Sequence, residues 1–220
     1  MKTTAIVPVF NEEKTIRNIL FTLNNSELID EIVVVDDGST DNSLEEIKSF
    51  EREMSKKLKV ISLKKNLGKG DAVRIATKNL ETDILFFCDG DLTNLKEEHI
   101  KQILKPFNHE KNIMSVGITQ LYGKVGTFLY KNLLLSGERA LPYTHFKEIR
   151  RDPLIEKYGL EAVMNDYCKR NNILIHKYIL KNVEGTLKSK KWNRGSYYLI
   201  KEIFEIIFVM IKLKMRIFGC

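Results

Sequence analysis

The sequence predicts an α/β fold, a mainly parallel sheet with helices on both faces, and three observations lead there. Between residues 3 and 104, short apolar runs alternate four times with segments of helical periodicity, the order that builds a helix-covered parallel sheet. The apolar runs are continuous rather than alternating, as strands buried on both faces require. Polar, glycine-bearing stretches follow the strands, so they collect on the edge where open α/β sheets bind ligands.

Residues 3–9, rich in apolar and β-branched side chains and broken by Pro8, form the first strand. Ile16, Ile19, Leu20 and Leu23 then recur at helical spacing. Residues 31–35 are a second strand, which breaks into Asp36-Asp37-Gly38-Ser39-Thr40-Asp41-Asn42-Ser43. That turn leads into a helix capped by Asp41 or Ser43, with Leu44, Ile47 and Phe50 inward. Residues 58–63 are the third strand, and Asn66-Leu67-Gly68-Lys69-Gly70-Asp71 opens a helix through Ala72, Ile75 and Ala76. The fourth strand, 84–88, runs into Asp89-Gly90-Asp91. A helix over 96–104 closed by Pro106 and a strand over 113–118 follow. Residues 123–135 and 158–171 have helical spacing, and 173–180 reads as a strand. Between them Ser136-Gly137-Glu138-Arg139-Ala140-Leu141 reads as a polar loop.

At 220 residues the chain supports one substantial core, here residues 1–187, and a short appended segment, 188–220. Cys88, Cys168 and Cys220 are odd in number and lack metal-site spacing, which points to reduced thiols in a cytoplasmic setting. The N-terminal strand lacks the apolar stretch and small-residue cleavage site of a signal peptide. Of the formal charge of +7, the stretch from Lys188 onward carries eight basic residues against Glu202 and Glu205, so the body is almost neutral. That distribution argues against nucleic acid as a partner, since a nucleic-acid-binding body spreads its charge over a face. Residues 196–218 form an amphipathic helix with Lys201, Glu202, Glu205, Lys212 and Arg216 on one side. Its longest charge-free run, residues 206–211, is too short to span a bilayer, so the helix lies on an anionic membrane surface or packs on the core or a second subunit.

The chemistry begins at Asp89-Gly90-Asp91. In an extended segment residues two apart project the same way, and Gly90 admits a close ligand, so the two carboxylates form a small anionic claw. Such a claw suits Mg2+ or Mn2+, which take oxygen ligands from one or two carboxylates and a substrate's phosphates. Alone, Asp-Gly-Asp is also an ordinary turn. Gly68-Lys69-Gly70 at a helix start offers free amides, the helix dipole and a full charge to an anion. It is neither a P-loop nor a dinucleotide fingerprint, whose third glycine would fall at Val73.

Together, Ile6-Val7-Pro8-Val9-Phe10-Asn11-Glu12-Glu13, Val33-Val34-Val35-Asp36-Asp37-Gly38-Ser39-Thr40-Asp41, Asn66-Leu67-Gly68-Lys69-Gly70 and Asp89-Gly90-Asp91 resemble the successive signatures of family 2 glycosyltransferases over about the first 120 residues. The resemblance implies a Rossmann-like GT-A fold, a nucleotide-diphosphate sugar donor, UDP-linked by preference, and a metal bridging the diphosphate. It places Pro8, Asn11 and Glu12 at the nucleoside, Asp37 near the base, Lys69 at the phosphates, and Asp89 and Asp91 at the ribose and metal. Residues 1–120 then bind the donor and 121–187 the acceptor.

Ser136 to Leu141, followed by Tyr158-Gly159-Leu160-Glu161, resembles a bacterial subgroup that includes glucosyl-3-phosphoglycerate synthases and enzymes acting on polyprenyl phosphates. That resemblance implies an acceptor loop with Ser136 and with Arg139 on an acceptor phosphate or carboxylate; an intraprotein pair with Glu138 or Glu161 is the structural alternative. Glu161 could be the general base, orient the sugar or cap a helix. It is followed by Ala162 where inverting members carry an acidic pair, so stereochemistry stays open. A third metal ligand is sought among His176 and His145, and Lys188, Lys190 or Lys191 could neutralise the diphosphate instead. The expected function is metal-assisted transfer of a hexose to a hydroxyl or phosphate, on a phosphorylated lipid or a small phosphorylated acceptor, for cell-envelope or lipid-linked glycan synthesis at the inner face of the membrane. A homodimer through the terminal helix, and a non-catalytic nucleotide-sugar-binding scaffold of the same fold, are the competing readings.

Overall fold

The computed structural model describes residues 1–54, 58–119, 134–156, 159–185 and 195–217. The expected helix over 123–135, Tyr158, and Lys188, Lys190 and Lys191 fall wholly or mainly outside the described residues. The chain runs β1 (Thr3–Val9), α1 (Ile16–Asn25), β2 (Glu31–Asp36), α2 (Ser43–Met54), β3 (Leu58–Ser62), α3 (Lys69–Ala76), β4 (Ile84–Phe87) and β5 (Leu92–Thr93). It continues through α4 (Glu97–Leu104), a 3-10 turn over Lys105–Asn108, β6 (Ile113–Ile118), β7 (Arg139–Pro142), α5 (Tyr143–Ile149) and a 3-10 turn over Pro153–Ile155. The last elements are α6 (Leu160–Arg170), β8 (Leu174–Ile179), β9 (Glu184–Gly185) and α7 (Gly195–Ile217).

Seven strands form one sheet in the order β3-β2-β1-β4-β7-β6-β8. All neighbouring pairs are parallel except those of β7, which runs antiparallel to both β4 and β6. Alternate residues of β1 enter different cores, as the pleat requires: Ala5, Val7 and Val9 pack with α1, α2 and α4, while Ile6 packs with α3, α5, α6 and α7. The helices therefore cover both faces. On α1 the buried residues are the predicted Ile16, Ile19, Leu20 and Leu23.

Pro8 sits in a central strand, normally the wrong place for a residue without an N–H. The β1–β4 ladder ends at Ile6 opposite Phe87, whereas β2 continues to pair as far as Val9. Proline is tolerated because the ladder to β4 has already stopped there.

The polar loop expected over 136–141 is corrected. Residues 139–142 are β7, a buried strand between β4 and β6. Its polar lead-in is buried too: Ser136, Glu138 and Arg139 are each no more than 2% exposed. Ser136, Arg139 and one carboxyl oxygen of Glu138 find protein partners there, while Glu138 Oε1 is buried without one, which a reading of polarity alone cannot anticipate. Among the described residues no helix is long and apolar enough to cross a membrane.

Candidate active site

Four loops meet at the carboxyl edge of β1, β2, β3 and β4, and their backbones are tied by side chains. Asn11 adopts φ 58°, a left-handed conformation that asparagine tolerates. Its N–H donates to Ser39 Oγ at 3.0 Å and its Oδ1 accepts from Thr40 N at 2.8 Å. Glu12 N donates to Ser43 Oγ at 2.6 Å. The loops after β1 and β2 thus form one unit.

Asp37 extends the network. Its two carboxylate oxygens accept the amides of Leu67 and Gly68 at 2.7 and 2.8 Å. Burial raises its pKa, and those two donors offset part of the rise. In this geometry Asp37 pins the loop that leads into α3. Gly38 is required beneath it, with φ 71° and a would-be Cβ 2.6 Å from the Lys65 carbonyl carbon. Gly70 has a packing reason as well: a Cβ there would stand 1.7 Å from the Ile155 carbonyl oxygen.

Lys69, the first residue of α3, sits at the centre of the cluster. Its Nζ lies 2.6 Å from Asp89 Oδ1 and 2.6 Å from Glu161 Oε1. Burial alone would lower the ammonium's pKa, but the two carboxylates outweigh it and hold it well above its ordinary range. Glu161 lies in the first turn of α6, where the helix dipole favours an anion, and is 7% exposed. One cation therefore joins the turn after β4, through Asp89, to α6, through Glu161.

The Asp89-Gly90-Asp91 turn is held from beneath. Thr15 Oγ1 donates to the Gly90 carbonyl at 2.7 Å, and a Cβ on Gly90 would meet Val9, Pro8 and Glu12 at 3.3 to 3.5 Å. Pro8 and Glu12 are thereby placed against the turn. Asp89 is also walled by Gly137, whose would-be Cβ falls 2.2 Å from Asp89 Oδ2. Among the described residues no group of three His, Cys, Asp or Glu is placed to enclose a metal. Asp89 and Asp91 are hard oxygen donors, and the set fits a cation such as Mg2+ or Mn2+ that completes its shell with phosphate oxygens and water.

The histidines are not brought to this edge. His176 lies on the edge strand β8, three strands from β4, with Nε2 3.2 Å from Glu110 Oε2. His145 Nε2 is 2.9 Å from Asn112 Oδ1. His176 is therefore corrected from a third metal ligand to a surface partner of Glu110.

Arg139 is likewise not presented to an acceptor. It is 1% exposed, paired in register with Phe87 and Val116, and its guanidinium points into the protein. Nε donates to Ser136 O at 2.9 Å, Nη2 to Leu134 O at 2.8 Å and to Ser136 O at 2.6 Å, and Nη1 to Asn165 Oδ1 at 3.1 Å. Both readings drawn from the sequence, an acceptor contact and an Arg–Glu pair, give way to a cation held by carbonyl oxygens.

Glu138 entered the sequence reading only as a possible partner of Arg139, yet its carboxyl is strongly perturbed. Burial, with the charge of Asp89 second, raises its pKa to about 8. The hydrogen bonds agree with a neutral acid. Ser136 Oγ lies within bonding distance of both the Gly117 carbonyl and Glu138 Oε2, 2.5 Å away, but a hydroxyl has one proton. If the acid donates to Ser136 and Ser136 to Gly117, every proton is placed. Because the folded pKa is raised from 4.5, the folded state holds the extra proton: the contribution is fully present below pH 4.5 and lost as pH rises through about 8. Glu138→Gln is therefore expected to match wild type near pH 4.5 and to gain a growing advantage in Tm up to about pH 8, in thermal melts with chelator present. A constant Tm difference across that range would show Glu138 ionised throughout.

A parallel α/β sheet whose ligand edge gathers two aspartates, a lysine and a facing glutamate defines the class of Rossmann-like enzymes that handle phosphorylated cofactors or donors. Within it, the chain belongs to glycosyl transferase family 2, whose model matches residues 4–166. It is 30% identical over 133 residues to an uncharacterised glycosyltransferase of Bacillus subtilis, covering 60% of this chain and 33% of that protein. It is 29% identical over 101 residues to the undecaprenyl-phosphate 4-deoxy-4-formamido-L-arabinose transferase of Proteus mirabilis, covering 44% of this chain and 31% of the relative. The chain thus spans about a third of the length of these two relatives. Against the UDP-N-acetylglucosamine–dolichyl-phosphate N-acetylglucosaminyltransferase of Methanococcus voltae it is 26% identical, with 96% and 95% coverage. Among solved structures, glucosyl-3-phosphoglycerate synthase of Mycobacterium tuberculosis superposes with a TM-score of 0.76 at 21% identity, over 96% of this chain and 78% of that one. The shared fold is GT-A, as the motifs implied.

Proposed function

We propose that this protein transfers a sugar from a nucleotide-diphosphate sugar, UDP-linked by preference, to a phosphorylated lipid in cell-envelope or lipid-linked glycan synthesis. The observation that carries the reading is Lys69 bound between Asp89 and Glu161 at the sheet's ligand edge. Related enzymes support the donor and the metal: the mycobacterial synthase was solved with Mn2+ and UDP, and also with Mg2+ and UDP. The Proteus and Methanococcus relatives are named for polyprenyl-phosphate acceptors, which supports the lipid.

In this reading Pro8, Asn11 and Glu12 line the nucleoside and Asp37 holds the wall on which its base rests. Asp89 and Asp91 hold the cation, whose chemistry is to offset charge on the diphosphate. As the bond from the anomeric carbon to the diphosphate breaks, the electron pair leaves with the phosphate, and Lys69 stabilises that charge where it develops. A hydroxyl acceptor needs a base for its proton, whereas a phosphate acceptor brings an oxygen that is already anionic. Glu161 is committed to Lys69, so a phosphate nucleophile fits the site better; if the acceptor is a hydroxyl, Glu161 takes its proton. The sugar is assigned only as a hexose, with stereochemistry open. Residues 1–120 would serve the donor, 121–187 the acceptor, and 188–220 a peripheral contact with the inner face of the membrane or with a second copy.

Protection from thermal unfolding tests the donor site, using a panel of nucleotide sugars with and without Mn2+. A ligand that binds only the native state stabilises it by about 2.7 kcal/mol at a hundredfold excess over its dissociation constant. One nucleotide sugar is expected to raise Tm only with metal, and Asp91→Ala to abolish the rise. A panel without any shift would overturn the donor site, and a shift without turnover on any acceptor would leave a non-catalytic nucleotide-sugar-binding scaffold of the same fold. Binding without turnover on prenyl phosphates would overturn the acceptor.

A further inference from the structure

The terminal helix α7 (Gly195–Ile217) offers a surface that the transfer site leaves unused. Its inner side is accounted for. Val209 and Leu213 are buried in the core cluster that includes α6, with Met210 beside them, and Arg216 Nη2 binds Asp152 Oδ1 at 3.0 Å. These contacts fix which side faces outward. There Ile207, Phe208, Ile211 and Met215 are 46%, 56%, 52% and 50% exposed.

The outward residues are ordered around the helix. At about 100° per residue, Ile207, Ile211, Met215 and Phe208 fall in that sequence across an arc of about 100°. Lys214 follows about 20° beyond Ile207 on one side, and Lys212 about 40° beyond Phe208 on the other. No acidic residue occurs from 206 to 217, so the arc is apolar in the middle and basic on both borders. Lys212 already lies along the apolar surface, its Nζ 4.4 Å from the centre of the Phe208 ring. A lysine in that position can keep its stem on the apolar face and carry its ammonium outward.

We propose that α7 seats the protein on an anionic lipid surface, with Ile207, Phe208, Ile211 and Met215 entering the boundary between headgroups and acyl chains and Lys212 and Lys214 meeting lipid phosphates. Charge selects this occupant. A second copy of the same helix would bring its own lysines against these, and the nearest acid, Glu205, stands about 20° beyond Lys212, outside the arc. Among the described residues the area argues the same way, because four half-exposed side chains fall well short of the ~800 Å² per partner of a stable protein interface. An interfacial helix needs only a narrow apolar face with basic flanks. The seat stands whichever acceptor the transfer site takes, since none of its residues belongs to that site.

The test is flotation of the full-length protein with vesicles of phosphatidylcholine, with and without phosphatidylglycerol. Binding is expected on the anionic vesicles and at least tenfold weaker on neutral ones. Lys212→Ser and Lys214→Ser should each weaken it about fivefold, the worth of one lysine near an anionic surface. Phe208→Ser combined with Ile211→Ser should abolish it, with Tm unchanged because both side chains are half exposed. No flotation with anionic vesicles, equal binding to both kinds, or indifference to the lysines would each overturn the seat. So would a dimer in sedimentation equilibrium that the Phe208→Ser, Ile211→Ser variant dissociates, which would make a second copy the occupant.

Discussion

Lys69→Met is expected to lower kcat/KM for sugar transfer by about a thousandfold, the upper part of the range seen when one preorganised charge donor is removed from a transition state. The argument rests on what Lys69 holds as well as on what it would stabilise. Its Nζ is 2.6 Å from an oxygen of Asp89 and 2.6 Å from one of Glu161, so those oxygens stand no more than about 5 Å apart. Methionine keeps the stem and removes the charge. Two facing carboxylates then repel across a half-buried gap, and one of them takes up a proton or turns away. The loss should fall mainly on kcat, because the charge that Lys69 meets on the diphosphate grows as the bond breaks. A comparison with Glu161→Gln separates the roles. If the nucleophile is a phosphate, that variant keeps the ammonium and loses about tenfold; if it is a hydroxyl, the missing base brings the loss near that of Lys69→Met. Steady-state kinetics on prenyl phosphate and on a hydroxyl acceptor reads both. A Lys69→Met enzyme within tenfold of wild type would remove the ammonium from the transfer step.

The first half of the chain was legible because each of its strands is an uninterrupted apolar run and each loop a burst of turn residues. Local pattern and tertiary role coincide at 3–9, 31–36, 58–62 and 84–87, so β1 to β4 and the edge they share could be drawn from spacing alone. What could not be read were partners distant in sequence. The resemblance placed Asp37 near the base, and no local signal could show that its carboxylate accepts two amides thirty residues on. Gly70 looked like a phosphate cradle, yet the carbonyl of Ile155 rests against it. The pairing of Lys69 with Glu161 spans 92 residues and has no sequence signature. β7 was hidden for a different reason. Hydropathy treats Ser-Gly-Glu-Arg as solvent-facing, and only the internal partners of Ser136, Glu138 and Arg139 allow that run to be buried.

Arg139→Met is the second large effect, and it is expected in stability: a loss of about 3–5 kcal/mol, the usual cost of breaking a buried charge from its partners. For a domain of this size that corresponds to a fall in Tm of roughly 10 °C. The guanidinium donates to the carbonyls of Leu134 and Ser136, in buried bonds, and to Asn165 Oδ1, which is partly buried. Methionine fills much of the volume, beside Met114 and Met164 whose sulfurs already lie 3.8 Å from Nη1, so the cost comes chiefly from the orphaned oxygens. The consequence then travels to the site. Arg139 fixes the stretch 134–136 that sets Gly137 against Asp89, and it ties that stretch to Asn165, one helical turn beyond Glu161 on α6. A positioning role of this kind predicts a kcat that falls at temperatures where the variant is fully folded, with KM for the acceptor little changed, because two groups on opposite sides of Lys69 lose their common brace. An arginine that bound the acceptor's phosphate would do the reverse, raising that KM by tenfold or more and leaving Tm in place. Thermal melts and acceptor titrations on the one variant therefore decide between the two. Asn165→Ala provides the graded control: it removes a single partner of the guanidinium and should cost about 1 kcal/mol, in the same direction on both readouts.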